Sequence, residues 1–364
     1  MIRGNVSSNA CSVRVAIDTT GLYTTQTGVA RYIRGLLGGF KQMAKAPDFF
    51  QLAWPVENFA YRQPQRALNT AYREFVWGPL VANAALRRGG ASLLHTTFNV
   101  LYRPCLPYVA TLHDLALLRH PERFRKWQVA SARHRLGMIA RADRIICISL
   151  FTADEAMALL DVPASKIQIV YNGVDFHDSA ATREQRPDVP VPADFFLFVG
   201  SLEPGKNLSL LKETYRLARS SGRMVPPLVI VGARWAGVAD EGPPPADWHY
   251  LGRQPDEALV YLYRRARALL FPSKYEGFGL PVVEAQTLGC PVVCSRIASI
   301  PEVAGSAAVY SELTGAGYLE AMRRLIGETG LREELIRLGR IQAANFSWSR
   351  CAQETAAVYE AAAA

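Results

Sequence analysis

Four short segments carry the residue types that chemistry needs, and each follows an apolar run. The densest is Tyr275-Glu276-Gly277-Phe278-Gly279-Leu280-Pro281, with Glu284 just beyond it. The run Ala268–Phe271 reads as a buried strand, Gly277 and Gly279 permit close backbone approach, and Pro281 suits a first helical turn. Unpaired N–H groups at such a helix start hold a phosphate or a sugar hydroxyl, helped by about half a positive charge from the helix dipole. Glu284 lies about one turn in. Its side chain leans back toward the helix start, where it can accept hydrogen bonds from a diol. Glu276 faces the same space from the loop. An ordinary strand-turn-helix with an acid near the positive end of the dipole fits the same residues.

The second segment is Gly200-Ser201-Leu202-Glu203-Pro204-Gly205-Lys206-Asn207, directly after FFLFV. A Gly-rich bend with Lys206 just before a helix suits a diphosphate. GKN in place of GK[ST], at the wrong spacing, excludes a Walker loop. A surface turn with a solvated Lys is the open alternative. Third is Thr111-Leu112-His113-Asp114, which sets a His and an Asp at a strand's carboxyl end, where a structural His is also common. Fourth is Gly28-Val29-Ala30-Arg31, a backbone-approach loop or a simple helix start after VRVAID, with Asp18 placed to cap it.

Positioning these segments takes alternating strands and helices. Apolar runs at 13–18, 50–53, 92–95, 108–112, 144–148 and 167–170 are separated by helical stretches, among them 121–141 and 150–160. Short strands apolar on both faces, set between helices, predict a parallel sheet covered on both sides. The stretch 178–194 has three Pro, several charges and little periodicity, and predicts a linker placed at 181–193. Alternation then restarts with strands at 195–199, 228–231, 268–271 and 291–294. Helices follow near 207–220, 256–267, 281, 314–327 and 330–343, with a last one from about Ser347. The predicted organisation is a first Rossmann-like domain over 1–180, a second over 194–345, and a tail, 346–364, returning to the first. Two such domains place a ligand cleft between the carboxyl ends of their strands.

Composition agrees with this class. At 364 residues the chain suits two compact domains, and 49% apolar with 20% charged residues excludes wholesale disorder. No apolar run approaches the ~20 residues that span a bilayer. The N-terminal stretch lacks the apolar core of a secretory signal, so a cytoplasmic location is expected. Forty-one Lys and Arg against 32 Asp and Glu leave a formal charge of +9, which favours an anionic partner. The excess concentrates between His120 and Arg144, where Arg123, Arg125, Lys126, Arg133, Arg135, Arg141 and Arg144 face only Glu122 and Asp143. Phe124, Trp127, Val129, Leu136 and Ile139 are interleaved. Such a helix either lies on anionic headgroups, on the inner face of a membrane, or presents a solvated face. No Arg-rich stripe matches a nucleic-acid motif, so no nucleic-acid partner is expected. Of six cysteines only Cys290 and Cys294 are close, and no second pair or His cluster completes a zinc site. Reduced thiols and no structural metal are expected.

Taken together, the four segments resemble the retaining glycosyltransferases of family 4, which have the GT-B fold. EGFGLPVVEAQTLGCPVVCSRIASIPEVAG resembles that family's signature, with Glu276 and Glu284 in its E-x7-E pattern. FVGSLEPGKNL resembles its phosphate loop, TLHDLALLRHPERF its strand-end His-Asp segment, IVYNGVD its interdomain-edge motif and GVARYIRGLL its N-terminal Gly loop. The match runs from about residue 13 to residue 360. The resemblance implies an α/β protein of two Rossmann-like parallel-sheet domains facing a cleft, with the C-terminal helix crossing back to the first.

It also implies roles. Lys206 would contact the donor diphosphate, with Ser201 and Asn207 beside it, and Glu284 the ribose hydroxyls. Glu276 would contact the transferred sugar, assisted by the backbone of Gly277, Phe278, Gly279 and Leu280. His113 would lie near the reacting carbon, and Gly28, Arg31 and Asp114 near the acceptor or the phosphates. Family members commonly work without a catalytic metal, and no DxD triplet suited to one is present, so no cofactor is expected. The departure lies in the phosphate loop. Many members carry Arg at the position of Ser201, or an Arg-Lys pair where this chain has Gly205-Lys206. Arg31 or an arginine from elsewhere is expected to compensate.

Among relatives the loop pattern looks most like bacterial mannosyltransferases that use GDP-mannose to build polysaccharide or lipid-linked oligosaccharide. UDP-glucose and UDP-N-acetylglucosamine remain open as donors. A sugar-nucleotide epimerase or hydrolase, or a catalytically silent partner subunit, remains open on the same fold.

Overall fold

Among the described residues two parallel sheets of six strands, each flanked by helices, make up the fold. The computed structural model describes residues 13–24, 28–54, 72–98, 102–124, 126–174, 184–233, 245 and 247–363. Cys11, Arg125 and the first part of the predicted linker, 181–183, lie outside the described residues. The first sheet holds β1 (Arg14–Asp18), β2 (Asp48–Leu52), β3 (Leu93–Thr96), β4 (Tyr108–Leu112), β5 (Arg144–Cys147) and β6 (Ile167–Ile169), ordered β2-β1-β3-β4-β5-β6. The second holds β7 (Phe196–Val199), β8 (Leu228–Val231), β9 (Trp248–Gly252), β10 (Leu269–Phe271), β11 (Val292–Cys294) and β12 (Val309–Tyr310), ordered β12-β11-β10-β7-β8-β9.

The reason is in the strand sequences. YVATL of β4 is buried at all five positions and LVIV of β8 at all four. Strands apolar on both faces need helices above and below, and the intervening helices supply them. In each sheet the strand order reverses beside the first strand, between β1 and β3 and between β7 and β10. Crevices open at the carboxyl ends of the strands at such switch points. The segments after β4, β7 and β10 are three of the four singled out above.

The helix Trp348–Ala363 returns to the first domain. Its Trp348, Cys351, Ala352, Val358 and Tyr359 share a core with Val15, Ile17, Tyr32, Ile33 and Leu36. Tyr32, Ile33 and Leu36 come from the helix Gly28–Gln42.

Several elements differ from the sequence expectation. β9 is an edge strand exposed at alternate positions, and β12 has only two residues, so neither offers an apolar run. The π-type helix Arg73–Ala82, with Pro79 inside it, continues into the helix Asn83–Arg88, and periodicity did not reveal either. The helix expected over 121–141 is interrupted: a 3-10 turn, Pro121–Arg123, precedes the helix Lys126–Ala140. Leu136 and Ile139 of that helix are buried in the first-domain core with Ala132 and Met138. They are therefore not on the outer surface with the basic residues, which on this helix and just after it is left to Lys126, Arg133 and Arg141. Cys147, Cys290, Cys294 and Cys351 are buried and unpaired, and burial pushes the Cys290 thiol up to about 12. Among the described residues no helix is long and apolar enough to cross a membrane.

Candidate functional site

The loop after β10 runs through Tyr275–Gly279 into the helix Leu280–Thr287. Gly279 stands before it at φ +101, a conformation that side chains disfavour, and Pro281 occupies the first turn. A Cβ on Gly277 would lie 1.9 Å from the carbonyl oxygen of His113, so the glycine is what lets the two domains approach this closely here. Three successive carbonyls of the loop are tied back by hydroxyls. Ser299 Oγ lies 2.9 Å from the oxygens of both Glu276 and Phe278. Ser149 Oγ and Thr152 Oγ1, from the first domain, donate to the oxygen of Gly277 at 2.7 and 3.2 Å. In a trans peptide the carbonyl and the following N–H point in opposite directions. The N–H groups of Gly277, Phe278 and Gly279 are therefore turned away from these hydroxyls. Among the described residues they make no hydrogen bond. A row of free amides beside a helix start is an anion and hydroxyl receptor.

Charged groups surround this row. Lys206 Nζ lies 2.5 Å from Glu276 Oε1 and 5.8 Å from the centre of the Phe271 ring. Lys206 closes the 3-10 turn Pro204–Lys206, and Asn207 follows at φ +58, turning the chain into the helix Leu208–Ser220. Asn207 is buried and its Oδ1 accepts from Ser209 Oγ at 3.3 Å, so it shapes the loop. Ser201 is half-buried at the loop's entry, and its carbonyl accepts from the Glu203 N–H at 3.0 Å.

Glu284 is buried, and its Oε2 accepts from the Tyr263 hydroxyl at 2.9 Å. Burial first, and then the Glu284 charge, hold the Tyr263 hydroxyl well above its ordinary pKa, so it remains a donor. Glu284 Oε1 accepts from Arg31, whose other terminal nitrogen lies 2.5 Å from Asp256 Oδ1. Arg31 thus reaches across from the first domain. Leu280 sits 3.6 Å from where a Cβ on Gly28 would be, so the N-terminal Gly loop faces the same helix start.

His113 Nε2 lies 2.8 Å from the Thr97 carbonyl oxygen. A carbonyl only accepts, so Nε2 carries the proton and Nδ1 the lone pair. Burial lowers the pKa of His113, outweighing the Thr97 bond and the Asp114 charge, which keeps the ring neutral at neutral pH. The Tyr32 ring stands edge-on to it at 5.0 Å. Asp114 Oδ1 accepts from the Ala116 N–H at 3.0 Å and braces the turn after the strand.

The structure thus gathers Lys206, Glu276 and the Gly277–Gly279 amides at one locus. It sets His113 against that locus through the Gly277 contact and places Arg31 with Glu284. Ser149, Thr152, Ser299 and Tyr263 escaped the sequence reading, and Glu203 and Arg123 were named there without these contacts. A Ser beginning the helix Leu150–Leu160 reads as a cap, and Ser149 does accept from the Thr152 N–H. Its second task depends on the other domain.

Two parallel-sheet domains with switch-point crevices turned on one another, and an ammonium group, carboxylates and free amides between them, define a glycosyltransferase of the GT-B kind. A model described as Glycosyltransferase Family 4 matches residues 27–178, and one described as Glycosyl transferases group 1 matches 181–341. The chain is 32% identical over 267 residues to O-antigen chain mannosyltransferase B of Escherichia coli, covering 69% of this chain and 70% of that protein. It is 28% identical to the serotype-specific mannosyltransferase WbdA of Escherichia coli, of whose length it spans 32%. Among solved structures, Anabaena Alr3699/HepE in complex with UDP-glucose superposes with a TM-score of 0.68 at 15% identity, over 96% of this chain and 99% of that one. The chain belongs to the group 1, family 4 glycosyltransferases, as its motifs led us to expect.

Proposed function

We propose that the protein is a retaining hexosyltransferase that moves mannose from GDP-mannose to a hydroxyl of a saccharide or lipid-linked acceptor. The observation that carries this reading is the pairing of Lys206 with Glu276 beside three unbonded amides. An ammonium group held by a carboxylate is released to an incoming diphosphate, and the freed carboxylate then faces the sugar. Glu284 offers Oε1 to the ribose hydroxyls, with Oε2 fixed by Tyr263. The choice of mannose rests on the Escherichia coli relatives, which are named mannosyltransferases.

In the reaction the bond from the anomeric carbon to the diphosphate oxygen breaks, and its electron pair leaves with the diphosphate. Negative charge growing there is met by Lys206 and the loop amides, which act on the transition state more than on the ground state. The acceptor oxygen bonds to the anomeric carbon from the same face, which retains configuration, and its proton passes to a phosphate oxygen. Neutral His113 holds a sugar hydroxyl through Nδ1. No metal ion is assigned a part, and transfer is expected to persist in EDTA. The outer basic face of Lys126, Arg133 and Arg141 is proposed to rest on anionic headgroups when the acceptor is lipid-linked. Vesicle binding that ignores their neutralisation removes that part.

The test is a thermal-shift comparison of GDP, UDP and ADP sugars, followed by product analysis. A donor at 100 times its dissociation constant adds about 2.7 kcal/mol to stability. GDP-mannose should give the largest shift, and NMR of the product should show the donor's anomeric configuration kept. A larger shift with UDP-glucose moves the donor assignment. An inverted product ends the mechanism.

A further inference from the structure

Arg123 belongs to the first domain, yet its guanidinium ends inside the phosphate loop of the second. Its Nη2 lies 2.8 and 3.1 Å from the two carboxylate oxygens of Glu203. Glu203 Oε2 also accepts the Gly205 N–H at 2.7 Å. Gly205 is what admits the arginine: a Cβ built there would stand 1.5 Å from Arg123 Nη2. A side chain at 205 and a guanidinium from 123 cannot share that space.

The same turn aims Lys206. Glu203 caps the turn Pro204–Lys206, the Lys206 N–H donates to the Glu203 carbonyl at 3.0 Å, and the Gly205 carbonyl accepts from Lys274 N–H at 2.8 Å. The Arg123–Glu203 pair therefore braces a turn that links the ammonium group to the loop bearing Glu276. Stability is a poor explanation for it. Arg123 Nε and Nη1 are buried and have no hydrogen-bond partner among the described residues, although the guanidinium lies 5.8 Å from the centre of the Phe124 ring. An ion pair that leaves buried donors unpaired gains little for the fold. Its charge does matter to an anion. Without Arg123, Glu203 is a bare carboxylate next to the turn that Lys206 closes.

We propose that Arg123 is a positioning residue supplied across the cleft. Its guanidinium takes the space that a side chain at 205 would need, neutralises Glu203 and holds Lys206 on the leaving diphosphate when the domains are closed. The proposal rests on the reading of this loop as a diphosphate seat.

The experiment measures GDP, UDP, GMP and UMP affinities by calorimetry on the full chain, with thermal unfolding in parallel. The variants are Arg123→Ala, Gly205→Ala and the double variant Arg123→Ala with Gly205→Arg. A misaimed Lys206 should weaken diphosphate binding by about 10- to 100-fold in both single variants. Monophosphate affinity should change less than about twofold, because the defect lies at one end of the ligand. The double variant starts a side chain from the space that Arg123 vacates and returns a positive charge to the loop itself, and should recover most of the loss.

Diphosphate affinity unchanged in Arg123→Ala overturns the proposal, and so does equal weakening of mono- and diphosphates. A double variant that folds but recovers nothing overturns it too. Wild-type protein that binds neither GDP nor UDP overturns the diphosphate-seat reading itself, and this proposal with it.

Discussion

At the residue scale, the roles proposed for Lys206 and Glu284 differ, and substitution separates them. In the proposed reaction Lys206 seats the diphosphate and faces charge that grows as the leaving group departs, so Lys206→Met should lower kcat by about 100- to 1,000-fold and also raise donor KM by about tenfold. Glu284, on the proposed reading, meets the ribose, a part of the donor that does not react. Glu284→Gln should raise donor KM by about tenfold and leave kcat within a few-fold. Steady-state kinetics with varied donor decides this, and a kcat effect confined to Glu284→Gln reverses the assignment. Both residues stood out among glycines at strand ends, but their types and spacing alone left a solvated Lys and an ordinary helix start open, and their roles came from the family resemblance. Ser299 was not legible. It is one serine among many, and its hydroxyl matters only through the carbonyls of Glu276 and Phe278, which a linear reading cannot place beside it.

At the element scale, the C-terminal helix shows what periodicity conveys and what it omits. Its apolar positions announced a helix after Phe346, and its return to the first domain is explained by glycines in the partner helix. A Cβ on Gly35 would stand 2.0 Å from the Trp348 indole, so the helix Gly28–Gln42 is hollowed where the other docks. Periodicity missed β9 because an edge strand with a polar face has no continuous apolar run. The docking also has a buried polar side. His95 Nδ1 lies 2.6 Å from the Tyr359 hydroxyl, and Nε2 lies 2.8 Å from Thr111 Oγ1, which is 2.9 Å from the Tyr32 hydroxyl. Burial drives the pKa of His95 down to about 3. Above the unfolded value near 6.5 neither state is protonated at this site, and the neutral ring contributes its full stability. As pH falls from there toward 3, the unfolded chain takes up a proton that the fold refuses. Stability then drops by about 1.4 kcal/mol per pH unit from this group. Denaturant titrations between pH 7 and 5 should contain that contribution, and His95→Gln should make the slope shallower by about that amount. Parallel curves for the two proteins would refute the assignment.

At the scale of the whole molecule, the domains are joined by apolar packing, in which Ile148 and Tyr171 meet the core of the second domain, and by a set of polar contacts. The Tyr275 hydroxyl, from the second domain, donates to Glu155 Oε2 at 2.7 Å and accepts the Leu115 N–H at 3.1 Å. Glu302 accepts the N–H groups of Leu150 and Phe151 at 3.0 and 3.4 Å, and the Tyr171 hydroxyl at 3.4 Å. Burial raises the Glu302 pKa, and these bonds oppose the shift. None of this was legible in the sequence, because each bond joins residues more than a hundred positions apart and neither member signals its partner. Polar contacts of this kind, each worth about 1 kcal/mol net, suit a joint that opens and closes. Ser149 and Thr152 tie that joint to the proposed donor site, since they hold the Gly277 carbonyl only while the domains are together. Loosening the joint should therefore weaken donor binding without touching the donor. Tyr275→Phe combined with Glu302→Ala should shift the chain toward an open form, seen as a larger radius of gyration by X-ray scattering. Donor affinity should fall by about tenfold, in proportion to the lost closed fraction, and saturating donor should restore the compact radius. A radius that matches the wild type in the absence of donor, together with normal affinity, would show that these bonds do not govern closure.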